Sequence, residues 1–158
     1  MAELRELLAA AGFSEVRTYL QSGNVVLASA SQPDRVAREC ERLIAAAFGL
    51  ELAVVVRTRA ELAKVVLRNP LREVAVDPKR YQVTFLASAL PAASARKLAA
   101  TVIPPEQLVV AGRELYAWHP HGVARSRLGT ALAGLGLGVP ATARNWTTVE
   151  ALLELAGG

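Results

Sequence analysis

The chain has 158 residues, 53% of them hydrophobic and 20% charged, with a formal net charge of +4. That length and apolar share suit one compact domain or two small units, and charges interrupt each apolar run before it can span a bilayer. Cys40 is the only cysteine, which excludes an intramolecular disulfide and a cysteine-based metal cluster. The opening Met1-Ala2-Glu3-Leu4-Arg5-Glu6 lacks the basic head and apolar stretch of a secretion signal, so a cytoplasmic location is expected, with no membrane partner.

Leu4, Leu7, Leu8 and Ala11 share one face at helical spacing, and Gly12 is a helix stop. Residues 15–20 and 24–28 are rich in β-branched and apolar side chains about Ser22-Gly23, which predicts a hairpin. Pro33-Asp34 opens a second helix running to Phe48, with Gly49 as its stop. Residues 52–56 predict a short apolar strand. Residues 59–67 predict a connecting helix closed by Asn69-Pro70, and residues 70–79 a linker. The second half starts with a strand over 81–86, followed by a helix from Pro91 to about Thr101. Residues 108–110 and 115–118 predict a hairpin about Gly112-Arg113. A helix over 125–135, a strand over 139–144 and a last helix over 148–155 complete the chain.

The second half therefore has the βαββαβ order of a ferredoxin-like unit, plus one C-terminal helix. The first half has the same order without its opening strand. The expected fold is α+β, with two ferredoxin-like units in tandem: residues 1–57, a connecting helix and linker over 58–79, and residues 80–158. In such a sheet the first strand is central, flanked here by residues 24–28 and 52–56. Without it those edges are exposed and recruit other strands. The chain is accordingly expected to self-associate and to be less stable than a form extended upstream by one strand.

Charge is unevenly spread. Residues 57–80 hold seven basic and three acidic side chains, the whole of the net charge. A basic stretch attracts nucleic acid or an anionic ligand, although a solvated helix and loop explains it as well.

Several junctions carry polar groups suited to a site. Arg144-Asn145-Trp146 stands between the last strand and the last helix, where an arginine beside exposed N–H groups suits phosphate or carboxylate. The alternative buries Trp146 and turns Arg144 and Asn145 to backbone carbonyls. Thr147 to Glu150 fits a Thr-x-x-Glu capping box for that helix. Arg125-Ser126-Arg127 suits an oxyanion, and equally an ordinary capped helix start. Gln21-Ser22-Gly23-Asn24 offers an amide, a hydroxyl and bare N–H groups, and turn chemistry alone also accounts for it. Tyr116 and Trp118 share one face of a strand, with Gln82 and Thr84 on a neighbouring strand. Rings on an open sheet suit base stacking, but the glycine-aromatic signature is missing and packing is their expected fate. His119-Pro120-His121 has no nearby cysteine or acidic cluster, so no metal is expected. No phosphate loop, zinc-protease helix or nucleophile elbow occurs, and no cofactor is expected.

Three segments resemble one family. They are Val16-Arg17-Thr18-Tyr19-Leu20-Gln21-Ser22-Gly23-Asn24-Val25-Val26, then Gly122-Val123-Ala124-Arg125-Ser126-Arg127-Leu128, and Gly138-Val139-Pro140-Ala141-Thr142-Ala143-Arg144-Asn145-Trp146-Thr147-Thr148-Val149. Together they make the chain similar to a mainly bacterial family, domain of unknown function 1697. The resemblance implies two ferredoxin-like units and no particular activity. It also implies an opening strand and an Arg-Gly-Ile-Asn-type loop upstream of Met1. This chain has Thr147 where the family often has asparagine, and Ala151 near a family lysine.

The resembling segments come from opposite halves, so one shared site in a cleft between the units is the economical expectation. Its lining would be Gln21, Ser22, Asn24, Arg125, Ser126, Arg144, Asn145 and Trp146, and its ligand a small anionic molecule. Nucleic-acid binding through residues 57–80 is the alternative. An enzyme of unknown reaction is a further alternative for which no catalytic residue can be named.

Overall fold

The computed structural model describes residues 1–20, 23–133 and 135–157. Among them it has six α-helices and two antiparallel sheets, a mixed α+β fold. None of those helices is long and apolar enough to cross a membrane. The chain divides into two compact units, Met1–Ala63 with Ala151–Gly158, and Lys64–Glu150.

The first unit holds α1 (Ala2–Ala10), β1 (Ser14–Tyr19), β2 (Asn24–Ala28) and α2 (Pro33–Phe48). Pro33 begins α2, where its missing N–H breaks no helical bond. Gly49 ends the helix in the left-handed region at φ 67°, its N–H donating to the Ala45 carbonyl at 3.0 Å. β1 and β2 pair antiparallel, with Arg17 opposite Val26, and a bulge between Ser14 and Arg17 sets Glu15 at φ 50°. Leu8, Val36 and Cys40 form the buried core, all from helices. Val25, Leu27, Val54 and Val56 pack against it only partly buried.

Residues 52–56 are not a strand, contrary to their composition. A strand exists only as a member of a ladder, and no neighbour among the described residues offers one. The Val54 N–H donates instead to the Glu41 carboxylate of α2, at 3.0 Å. Val54 and Val56 still turn to the core at the two-residue spacing of extended chain.

α3 (Arg59–Arg68) follows, and the partition of the chain runs through it. It opens with a reciprocal capping box. The Thr58 N–H donates to Glu61 Oε1 at 3.0 Å, and the Glu61 N–H to Thr58 Oγ1 at 3.1 Å.

The second unit holds β3 (Tyr81–Leu86), α4 (Ala92–Thr101), β4 (Gln107–Ala111), β5 (Glu114–Trp118), α5 (Arg127–Ala133), β6 (Ala141–Asn145) and the first half of α6 (Trp146–Leu155). Its sheet has the order β4-β5-β3-β6, antiparallel throughout. β3 is central, and every one of its residues except Gln82 is buried. That two-sided burial suits its Tyr81, Val83, Phe85 and Leu86, although it also buries the polar Thr84. Leu86, Leu115 and Ala117 meet Leu98 of α4 and Leu128 and Leu132 of α5 on one face. Val83 pairs with Tyr116 and Tyr81 with Trp118, which puts these four on the opposite face. Gln82 pairs with Ala117 and Thr84 with Leu115, so they lie on the helix-covered face, away from the Tyr116 and Trp118 rings.

Two helix starts differ from the sequence reading. The helix expected over 125–135 is a 3-10 turn, Val123–Arg125, followed by α5 from Arg127. Ser126 is the cap between them, extended at φ −100°, its hydroxyl accepting the Gly129 N–H at 2.9 Å. Gly129 is required there, since a Cβ would stand 2.7 Å from the Val123 carbonyl oxygen. The last helix begins at Trp146, not Thr148. Asn145 Oδ1 accepts the Thr148 N–H at 2.9 Å, so Asn145 caps it and Thr147 lies inside the first turn.

Candidate functional site

The most concentrated polar chemistry of the second unit lies where β4 begins and β5 ends. Gln107 pairs with Trp118, which brings the residues just beyond them, Glu106 and His119, side by side. Ser126 closes the group from the start of α5. Its hydroxyl donates to Glu106 Oε2. The same oxygen accepts the Gly129 N–H and stands 2.9 Å from His119 Nδ1. A hydroxyl has one proton to give, and that proton goes to the carboxylate. Nδ1 therefore carries the ring proton and donates to Ser126, and Nε2 is an acceptor.

His119 is fully buried and Ser126 nearly so. Burial pushes the His119 pKa below its ordinary value, partly offset by Glu106 3.5 Å away, so the ring is neutral. Burial alone would raise the Glu106 pKa. The Ser126 hydroxyl, the Ile103 N–H and His119 outweigh it and hold the carboxyl below its ordinary value. Serine and glutamate share one ring nitrogen, so the trio lacks the relay geometry of a catalytic triad, in which they hold opposite nitrogens. What it does is tie the β4–β5 end to the α5 start.

The Arg144–Trp146 junction is built differently. Arg144 pairs with Val83 in the sheet, on the face bearing Tyr81 and Tyr116. Its Nη1 donates to Thr142 Oγ1 and to the Ala143 carbonyl at 2.8 Å. Burial pushes the guanidinium pKa below its ordinary value. Trp146 stacks on Tyr81 with ring centroids 4.9 Å apart, and Tyr81 meets Tyr116 at 6.4 Å. The Tyr81 hydroxyl donates to Asn69 Oδ1 and the Tyr116 hydroxyl to the Val65 carbonyl, each at 2.9 Å. Burial pushes both phenols up to about 12, so they remain protonated donors well into the alkaline range.

The remaining candidates fall elsewhere. Gln21 and Ser22 lie outside the described residues. Asn24 is in the first unit, buried at the start of β2, and its Nδ2 donates to the Tyr19 carbonyl at 3.1 Å. Arg125 is exposed. Ser126 belongs to the helix-covered face of the second sheet and Arg144 to the other, so the sheet separates them. In the basic stretch, Arg72 donates to the Leu67 carbonyl at 3.2 Å and Arg80 to the Pro120 carbonyl at 2.6 Å. Among the described residues no group of three or more His, Cys, Asp or Glu can hold a metal.

Sequence reasoning did not pair His119 with an acid, although Glu106 is its partner. The signal was available, because the hairpin turn at Gly112-Arg113 sets the register that aligns positions 106 and 119.

Residues 1–116 match the family described as Protein of unknown function (DUF1697). The chain belongs to that family. The match includes the hairpin segment over 16–26 and stops short of the segments over 122–128 and 138–149. No curated protein matches. The fold is similar to that of the conserved bacterial protein SP0830 from Streptococcus pneumoniae, with TM-score 0.80, 17% identity, and 99% of this chain and 88% of that one covered. At that identity the likeness speaks for the fold alone.

Proposed function

We propose that this DUF1697 member is a cytoplasmic bacterial protein of two ferredoxin-like units in tandem that binds a small anionic ligand through Arg144. What supports the architecture is the second unit, whose βαββαβ order and β6-β3-β5-β4 sheet follow that plan. The binding reading rests on one observation, the Arg144 guanidinium. It is half-buried, oriented by Thr142 and Ala143, and carried on a rigid sheet. A partly desolvated cation gains more from an anion than a fully solvated one does. A guanidinium fork favours carboxylate or phosphate over a spherical anion. Asn145 and Trp146 set its position, one by capping α6 and the other by stacking on Tyr81.

Thermal unfolding with added inorganic phosphate or succinate tests the reading. Both should raise the midpoint of the native chain, while chloride at equal ionic strength should not. Arg144→Gln should abolish the rise, and Arg125→Gln, at an exposed position, should keep it. Equal shifts in both variants would mean general screening and would overturn the proposal.

A further inference from the structure

At one end of the second sheet, two segments distant in sequence are tied together. The His119 N–H donates to the Arg80 carbonyl at 2.9 Å, and Arg80 Nη1 donates to the Pro120 carbonyl at 2.6 Å. These bonds join residues 77–80, which lead into β3, to the chain leaving β5. His119 Nδ1 in turn stands 2.9 Å from Ser126 Oγ, and Arg125 and Arg127 flank that serine. Residues 77–80 and 119–127 are thus held side by side within the second unit.

The surface they make is basic. Lys79, Arg80, Arg125 and Arg127 are all exposed. The two segments contain one carboxylate, Asp77, which stands 3.6 Å from Arg80 Nε. Glu106, which reaches Ser126 from the start of β4, is already engaged in the buried trio. Like charges gathered in this way repel one another, and a polyanion relieves the repulsion.

Two further observations select the polyanion. The aromatic side chains of the second unit, Tyr81, Phe85, Tyr116, Trp118 and Trp146, are all buried. They offer no ring to unstacked bases, so a single strand would be held by charge alone. A duplex keeps its bases stacked and presents its phosphates outward. Among the exposed large apolar side chains of the unit, only Val76 adjoins either segment in sequence. One valine is too little apolar surface to seat the patch in a lipid interface.

We infer that Lys79, Arg80, Arg125 and Arg127 form a surface that binds the phosphate backbone of a double-stranded nucleic acid without reading its sequence. Neutralising phosphates releases their condensed counterions, which supplies the affinity, and phosphate contacts carry no sequence information. A solvated cation gains little from one inorganic phosphate, so this surface responds to a row of phosphates, whereas the half-buried Arg144 responds to one. The inference does not rest on the Arg144 reading.

The test follows binding of a labelled duplex of about 20 base pairs to the whole chain by fluorescence anisotropy, with DNA in one arm and RNA in the other. For DNA, neutralising four phosphates predicts a log–log salt slope of about −3.6, and so about a hundredfold loss of affinity between about 50 and 200 mM salt. Duplexes of unrelated sequence should bind alike. Lys79→Gln combined with Arg127→Gln should make the slope shallower by about two. Arg35→Gln combined with Arg38→Gln, exposed on α2 of the other unit, removes the same charge and should leave the slope as it was. Circular dichroism of both variants separates a lost contact from a lost fold. Absence of binding to either duplex at about 50 mM salt, an unchanged slope in the Lys79 and Arg127 variant, or an equal loss in the α2 variant would overturn the inference. So would tighter binding of the corresponding single strand, or of phosphatidylserine vesicles, than of the duplexes. The phosphate response of Arg144 is read separately, so either result stands without the other.

Discussion

The sheet of the second unit and the hairpin of the first show what a central strand contributes. Around β3 the second unit buries Val83, Leu86, Leu115, Tyr116 and Ala117 completely. In the first unit the buried core is Leu8, Val36 and Cys40, all helical, and each strand side chain packed on it remains partly exposed. Each core is flanked by helices and by an antiparallel hairpin, β1-β2 in the first unit and β4-β5 in the second. The difference follows from the ladder. A central strand satisfies backbone groups on two sides and lets both neighbours bury their side chains, whereas a two-stranded hairpin leaves one edge of each strand to solvent.

The largest test of that contrast is a matched pair of truncations. Leu115→Ala should destabilise the second unit by about 2–5 kcal/mol, the range for a fully buried leucine. Leu27→Ala should cost the first unit about 1 kcal/mol, because its side chain is already part-exposed. Amide exchange, which reads the units separately, is the measurement. Equal losses would mean that the hairpin is covered as well as the sheet is.

Ser126→Ala probes how the second unit ties its helix to its sheet. It removes the cap of α5 and the hydroxyl on Glu106 together, and should cost about 1–3 kcal/mol. Acid attacks the same trio. The folded chain holds His119 below 6.5, so this contribution is complete well above that value and drains away as pH falls through it. Glu106 is held below its ordinary 4.5, so its contribution is lost in turn at lower pH. Both tryptophans, Trp118 and Trp146, belong to the second unit, and their fluorescence follows its unfolding alone. Its denaturation midpoint should fall between about pH 7 and pH 4, and His119→Gln should flatten the upper part of that fall. An unchanged profile in the variant would remove His119 from the account.

The smallest effect separates two candidate caps. Asn145→Ala should destabilise by about 1 kcal/mol, the usual cost of a lost N-cap. Thr147→Ala, at an exposed position of the first helical turn, should stay within about 0.5 kcal/mol. The reverse ranking in urea denaturation would restore the capping box at Thr147 and Glu150.

Local signals in the chain were sufficient for much of this architecture. Pro33 and Gly49 bracket α2 at both ends, and the strand expected over 81–86 is β3 residue for residue. Both hairpins follow from their glycine turns. These features depend on the φ a residue permits and on side-chain period, and each is complete within a few positions. At the candidate site, the sequence marked Arg144, Asn145 and Trp146 as a junction. It did not reveal that Asn145 caps the helix or that Trp146 stacks on Tyr81, some sixty residues away. Residues 52–56 have strand composition without being a strand, because pairing belongs to two segments and not to one. The alliance of Glu106, His119 and Ser126 is of the same kind. Each residue alone is ordinary, and only hairpin register and the placement of α5 bring the three to one buried point, where desolvation makes every proton matter. Helix ends, turns and apolar period were thus set by the chain itself. Strand membership, the roles of the polar side chains and their titration were decided by neighbours distant in sequence, since hydrogen bonding and burial depend on what is near in space.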